Sequence, residues 1–128
     1  MKVLVVEDDD VCRTMISTLL KEYGIVDIAC NGEEAVHLVE LCKSNEVYYD
    51  LIALDVNMPN KNGFDALKEI RDFEFKTKLR AANIIMITSS DDNKSIITGF
   101  REQCDSYIIK PITKEKIKNA MIDLGLNK

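Results

Sequence analysis

Residues 3–10 read VLVVEDDD, four apolar residues that run straight into four carboxylates. A continuously apolar run of this length suits a strand buried on both faces, as strands of parallel sheets are. The turn after it decides which parallel sheet is in question. The doubly wound order that binds dinucleotides needs a glycine-rich turn after its first strand. Here that turn is EDDD and holds no glycine. An acidic turn repels phosphates unless a metal mediates, which argues against a dinucleotide site.

Further apolar runs follow at residues 26–29, 51–54, 84–88 and 106–109. Between them, apolar residues recur at helical spacing. The first stripe is Val11, Met15, Ile16, Leu19, Leu20 and Tyr23, and the second is Ala35, Leu38, Val39 and Cys42. Phe64, Leu67 and Ile70 make a third, Ile96, Ile97 and Phe100 a fourth, and Ile117, Ala120, Met121 and Leu124 a fifth. Asp9 or Asp10 is placed to cap the first helix, and Gly24 stands where its end favours a residue tolerant of positive φ. The order is βα repeated five times, which predicts an α/β fold with a doubly wound parallel sheet and helices on both faces. The run VDIA sets Asp27 between apolar neighbours, as an edge strand would. Residues 74–82 are charged and read as a surface loop or the end of the third helix. Periodicity alone leaves the spatial order of the strands open.

A chain of 128 residues suits one domain with one core. Its 46% hydrophobic and 30% charged residues are those of an ordinary soluble globular protein. No uncharged run approaches the roughly 18 residues of a membrane span. The short N-terminal apolar run has no small-residue cleavage site after it, so a cytoplasmic location is expected. Cys12, Cys30, Cys42 and Cys104 show no C-x-x-C pairing and read as reduced thiols serving as small core hydrophobes. The net charge of −5 is uneven. Residues 1–60 carry four Lys/Arg against twelve Asp/Glu, and residues 61–128 carry thirteen against ten. An acidic chain argues against general nucleic-acid binding.

In open parallel sheets the ligand crevice lies at the carboxyl ends of the strands. Here those ends are Glu7, Asp8 and Asp9 for the first strand and Asp55 for the third. Thr88, Ser89 and Ser90 close the fourth, and Lys110 the fifth. Converging carboxylates raise one another's pKa unless something compensates. A hard divalent cation with Asp8 and Asp55 as ligands resolves this. Mg²⁺ suits best, because it accepts one or two carboxylates, keeps several waters and meets phosphate oxygens. Lys110 would neutralise a phosphoryl oxygen and Thr88 could donate a hydrogen bond to another. Together these are the parts needed for phosphoryl transfer to an aspartate. Taken singly they are weak: Asp9 and Asp10 serve equally as caps, Lys110 as a surface lysine, Thr88 as a strand residue. Asp55 is harder to dismiss, since a carboxylate closing an apolar strand needs a partner.

Four motifs stand in order along the chain: the acidic pair Glu7–Asp8, LDVNMPNKNG around Asp55, MITS at Thr88, and YIIKP at Lys110–Pro111. With these the sequence resembles a two-component response-regulator receiver domain over essentially its whole length, and is similar to the single-domain chemotaxis response regulators. The resemblance implies a five-stranded, flavodoxin-like parallel sheet of order 2-1-3-4-5. It implies Asp55 as phosphoacceptor, and Glu7, Asp8, Asp55 and the main-chain carbonyl of Asn57 around Mg²⁺, with Mn²⁺ as a substitute. Lys110 would contact the phosphoryl group, and its bond to Pro111 would be cis. Thr88 and Tyr107 match the family's switch pair. Glu7 stands where many members have aspartate, and the segment from Asp55 to Thr88 is a few residues longer than in the chemotaxis proteins.

The expectation is a stand-alone receiver, residues 1–128 forming one domain with no output domain. It would be a signalling protein rather than an enzyme, catalysing only its own phosphorylation and dephosphorylation. A histidine kinase or phosphotransfer protein would be the donor. A downstream protein would meet the face of the fourth helix, fifth strand and fifth helix, where Lys94, Arg101, Lys114, Lys116 and Lys118 lie. No nucleic acid or membrane partner is expected. A Mg²⁺-dependent phosphohydrolase is the rival, but it would need a second carboxylate two residues after its nucleophile, where Asn57 stands. A degenerate receiver that binds without phosphorylation is disfavoured by the complete acidic pocket.

Overall fold

The computed structural model describes residues 1–58, 61–89 and 103–126. The stripe Ile96, Ile97 and Phe100, together with Pro59, Ser90, Lys94 and Arg101, lies outside the described residues. Five strands, β1 (Lys2–Val6), β2 (Ile25–Ala29), β3 (Leu51–Asp55), β4 (Asn83–Thr88) and β5 (Ser106–Ile109), form one sheet. The described helices are α1 (Asp10–Leu20), α2 (Gly32–Ser44), α3 (Gly63–Thr77) and α4 (Lys114–Asp123), the last being the fifth stripe of the sequence. The sheet order is β2-β1-β3-β4-β5 and each adjacent pair is parallel. The expected order 2-1-3-4-5 is therefore the observed one, with the Asp27-bearing strand at an edge.

The alternation of strand side chains divides the interior in two. Leu4, Val6, Ile52, Leu54, Ile84 and Met86 face one way and pack with Ala35, Val39 and Cys42 of α2 and with Ala66, Leu67 and Ile70 of α3. Val3, Val5, Leu51, Ala53, Ile85, Ile87 and Ile108 face the other way, against Ile16 and Leu20 of α1 and Ile117, Ala120 and Met121 of α4. Truncating one of the large side chains here to alanine costs about 2–5 kcal/mol. Each described helix begins with a side-chain cap. Asp9, Asn31, Asn62 and Thr113 accept hydrogen bonds from the backbone N–H groups of Cys12, Glu34, Asp65 and Lys116 respectively.

Four details depart from the expectations. The buried face of α1 runs through Arg13, Ile16, Ser17 and Leu20, so Val11 and Met15 point outward, Val11 at 77% exposure. The sequence stripe was too wide because it counted every apolar residue, whereas a two-turn contact admits one narrow face. Gly24 does not take a positive φ; a Cβ there would sit 1.9 Å from the Met1 carbonyl oxygen, so close backbone approach requires the glycine. The charged segment at 74–82 starts as the end of α3, one of the two expected readings, but Glu74 in it is buried. Its carboxylate accepts from the Ala82 N–H at 2.8 Å and from Arg71 at 2.7 Å, while Arg71 also reaches the Gln103 and Ala82 carbonyls and Asp105. Finally, all four cysteines are free thiols, but only Cys42 and Cys104 are buried; Cys30 is exposed. None of the described helices is long and apolar enough to cross a membrane.

Candidate functional site

Register brings the site together. Val6 pairs with Leu54 across β1 and β3, so Glu7 and Asp55, each the next residue, stand side by side at the carboxyl edge. Asp55 is in turn opposite Ile87, and Thr88 opposite Ile109, which puts Thr88 and Lys110 at the same edge. Backbone bonds hold that edge: Glu7 N–H donates to the Ala29 carbonyl at 3.1 Å, Val56 N–H to Ile87 at 2.8 Å and Lys110 N–H to Thr88 at 2.7 Å. Gly63, the first residue of α3, admits the turn back over β3. A Cβ there would lie 2.4 Å from the Asp55 carbonyl oxygen.

Carboxylate oxygens of Glu7, Asp8 and Asp55 lie within 4.8 Å of one another. Glu7 and Asp55 are 1% and 2% exposed, whereas Asp8 faces solvent. Lys110 Nζ stands 3.3 Å from Glu7 Oε2 and 3.7 Å from Asp55 Oδ1. One ammonium thus meets two carboxylates of a trio. Burial, and then the charge of Glu7, push the Asp55 carboxyl up to about 7, against the opposing pull of Lys110 and the Asn57 N–H. Burial disfavours the Lys110 ammonium, but Asp55 and Glu7 more than offset it and hold its pKa above the ordinary value. The cluster has an excess of negative charge that either a proton on Asp55 or a cation would relieve. Its donors are hard carboxylate oxygens, which fit Mg²⁺ or Mn²⁺ and do not fit a soft metal.

The other expected residues surround this cluster. Asn57 donates from its backbone to Asp55 Oδ1 at 3.4 Å and from its side chain to Ser89 Oγ at 3.3 Å. Thr88 is buried at the end of β4. Tyr107 is farther off, on edge strand β5 opposite Met86, with 36% of its surface exposed. The Lys110–Pro111 bond is cis. Asp9 serves as the α1 cap, accepting from Cys12 N at 2.9 Å, and hydrogen bonds from the side chain and backbone of Cys12 draw its pKa down. Sequence reasoning missed Arg13, whose guanidinium bonds the carbonyls of Glu7 and Asp8 and pairs with Asp10. The available signal was an arginine one turn into a helix, on the face of Ile16 and Leu20, directly after four carboxylates.

The profile of the response regulator receiver domain family matches residues 3–122. This chain belongs to that family. Receiver domains work in two-component signalling, and this chain is similar to chemotaxis proteins over nearly the whole length of both. It is 32% identical over 124 residues to chemotaxis protein CheY of Halobacterium salinarum, a match covering 96% of this chain and 95% of that protein. It is 33% identical over 117 residues to the transcriptional regulatory protein ResD of Bacillus subtilis. There the match covers 91% of this chain and only 44% of the relative, so the receiver spans under half of that longer protein. The fold is also that of CheY in the CheX–CheY–BeF3–Mg²⁺ complex from Borrelia burgdorferi, with a TM-score of 0.82 at 23% identity, covering 99% of this chain and 90% of that one.

Proposed function

We propose that this receiver accepts a phosphoryl group on Asp55 from a phosphohistidine donor, a histidine kinase or a phosphotransfer protein. The observation that carries the reading is the trio Glu7, Asp8 and Asp55 within 4.8 Å, faced by Lys110. A carboxylate oxygen of Asp55 attacks phosphorus while the phosphorus–nitrogen bond of the donor breaks. The bonding electron pair stays on the donor imidazole, and Asp55 becomes an acyl phosphate. Glu7, Asp8, Asp55 and the main-chain carbonyl of Asn57 would hold Mg²⁺, which supplies positive charge for the phosphoryl oxygens when bound. Lys110 neutralises a further oxygen, and the Thr88 hydroxyl donates to another. The presence of CheY with BeF3 and Mg²⁺ among proteins of the same fold supports this assignment of roles.

Phosphorylation adds charge at a buried edge, and the response is read as a population shift. Thr88 moves toward the phosphoryl oxygens and Tyr107 turns from its half-exposed position toward the vacated space. A downstream protein then binds or leaves the face that includes β5 and α4. The test is direct. Incubation with Mg²⁺ and acetyl phosphate should add the mass of one phosphoryl group to the intact protein, and Asp55→Asn should take up none. Equal labelling of the variant, or no labelling of the wild type, would refute the assignment.

A further inference from the structure

Asp8 is the one member of the acidic trio that faces solvent, so what holds its carboxylate toward Glu7 and Asp55 needs explanation. Two peptide planes flank its Cα, and their carbonyls belong to Glu7 and Asp8. Both accept from Arg13 Nη1, at 3.1 Å and 3.5 Å. The other terminal nitrogen of the same guanidinium pairs with Asp10. The Arg13 side chain is only 17% exposed, held on the inward face of α1, whose register is set by Ile16 and Leu20 and whose start is set by the Asp9 cap. One terminal nitrogen of a helix-anchored guanidinium therefore meets the carbonyls on both sides of Asp8, while the other end of the fork is held by Asp10.

We propose that Arg13 is a positioning residue for the cation site. By bonding both peptide planes it fixes the backbone angles of Asp8 and hence the direction of its Cα–Cβ bond. Its pairing with Asp10 also keeps the fourth carboxylate of the EDDD turn on the outer side. The inference rests on reading the trio as a Mg²⁺ site, and the two can fail separately.

The sign of one measurement distinguishes positioning from simple charge. Arg13 brings a positive charge close to the cation, so on Coulomb grounds alone its removal should strengthen binding. If it positions Asp8, removal should weaken binding. Mg²⁺ and Mn²⁺ binding to the full chain would be measured by titration calorimetry at pH 8, without phosphodonor, for the wild type, Arg13→Gln and Arg13→Lys. Thermal unfolding in chelator reports separately on folding. The expected result is binding weakened about tenfold or more in Arg13→Gln, the scale typical of lost support behind a metal ligand. Arg13→Lys keeps the charge but lacks the fork and should also bind more weakly, which keeps the test open if the glutamine variant does not fold. Unchanged or tighter binding in Arg13→Gln, or wild-type affinity in Arg13→Lys, would overturn the positioning role. A wild type that binds neither ion would remove the cation reading itself, and this inference with it.

Discussion

Removing the charge at Asp55 should stabilise this protein in the absence of divalent ions. Asp55 is 2% exposed and its carboxyl is raised from an ordinary 3.8 to about 7, first by burial and then by Glu7. Between those two pH values the folded state binds the proton more tightly than the unfolded chain. Stability contributed by that proton is therefore present at low pH and is lost as pH rises through about 7. The full shift sets a ceiling of about 4 kcal/mol on the cost of ionising Asp55 in the fold. The Lys110 ammonium offsets part of that cost and side chains relax, so about 1–2 kcal/mol is the expected net effect at pH 8. In chelator at pH 8, Asp55→Asn should melt about 3–8 °C above the wild type. The difference should shrink toward zero as pH falls to about 4. Saturating Mg²⁺ should raise the wild type and narrow the gap. Thermal unfolding followed by circular dichroism measures all of this. A variant that melts at or below the wild-type temperature at pH 8 would refute the claim that Asp55 sits in uncompensated repulsion.

Because proton and cation compete for Asp55, apparent Mg²⁺ affinity should climb from pH 5.5 to about 7 and level off above it; a flat calorimetric profile would contradict this. Glu74→Ala should cost about 2–4 kcal/mol in urea unfolding, since it leaves the buried Ala82 N–H without its carboxylate and takes one of two carboxylates from Arg71. Gly63→Ala should lower both stability, by about 1–3 kcal/mol, and Mg²⁺ affinity, because its Cβ would press on the Asp55 carbonyl oxygen. Thr88→Ala should still take up phosphate from acetyl phosphate at Asp55 but show a weaker conformational response by NMR; an undiminished response would separate Thr88 from the switch.

The sheet was legible because its strands are short, apolar and separated by clear turns, and their final residues fall on one edge in any parallel arrangement. That alone places Glu7, Asp55, Thr88 and Lys110 together. Strand order is not written in periodicity and is implied only by the family resemblance that the ordered motifs carry. What stayed hidden depends on facing surfaces. Val11 and Met15 look like Ile16 in sequence, and only the angle at which α1 meets the sheet leaves them outside. Glu74 sits among charged neighbours in a segment of solvent-like composition, yet its partners are supplied by Ala82 and Arg71, and Arg71 also bonds Gln103 and Asp105. Arg13 acts on carbonyls five and six residues back, a contact that residue type alone does not announce.

The division of the interior by the sheet has a consequence for how this chain tolerates change. Side chains from the Leu4 side and the Val5 side belong to separate clusters, with the strand backbones as the partition. Substitutions in different clusters share no packing neighbours, so their energetic effects should add, whereas pairs within one cluster should couple. An α2–α3 layer repacked by volume-conserving substitutions would leave the α1–α4 layer intact. Natural drift or deliberate redesign can therefore explore one half of this receiver at a time.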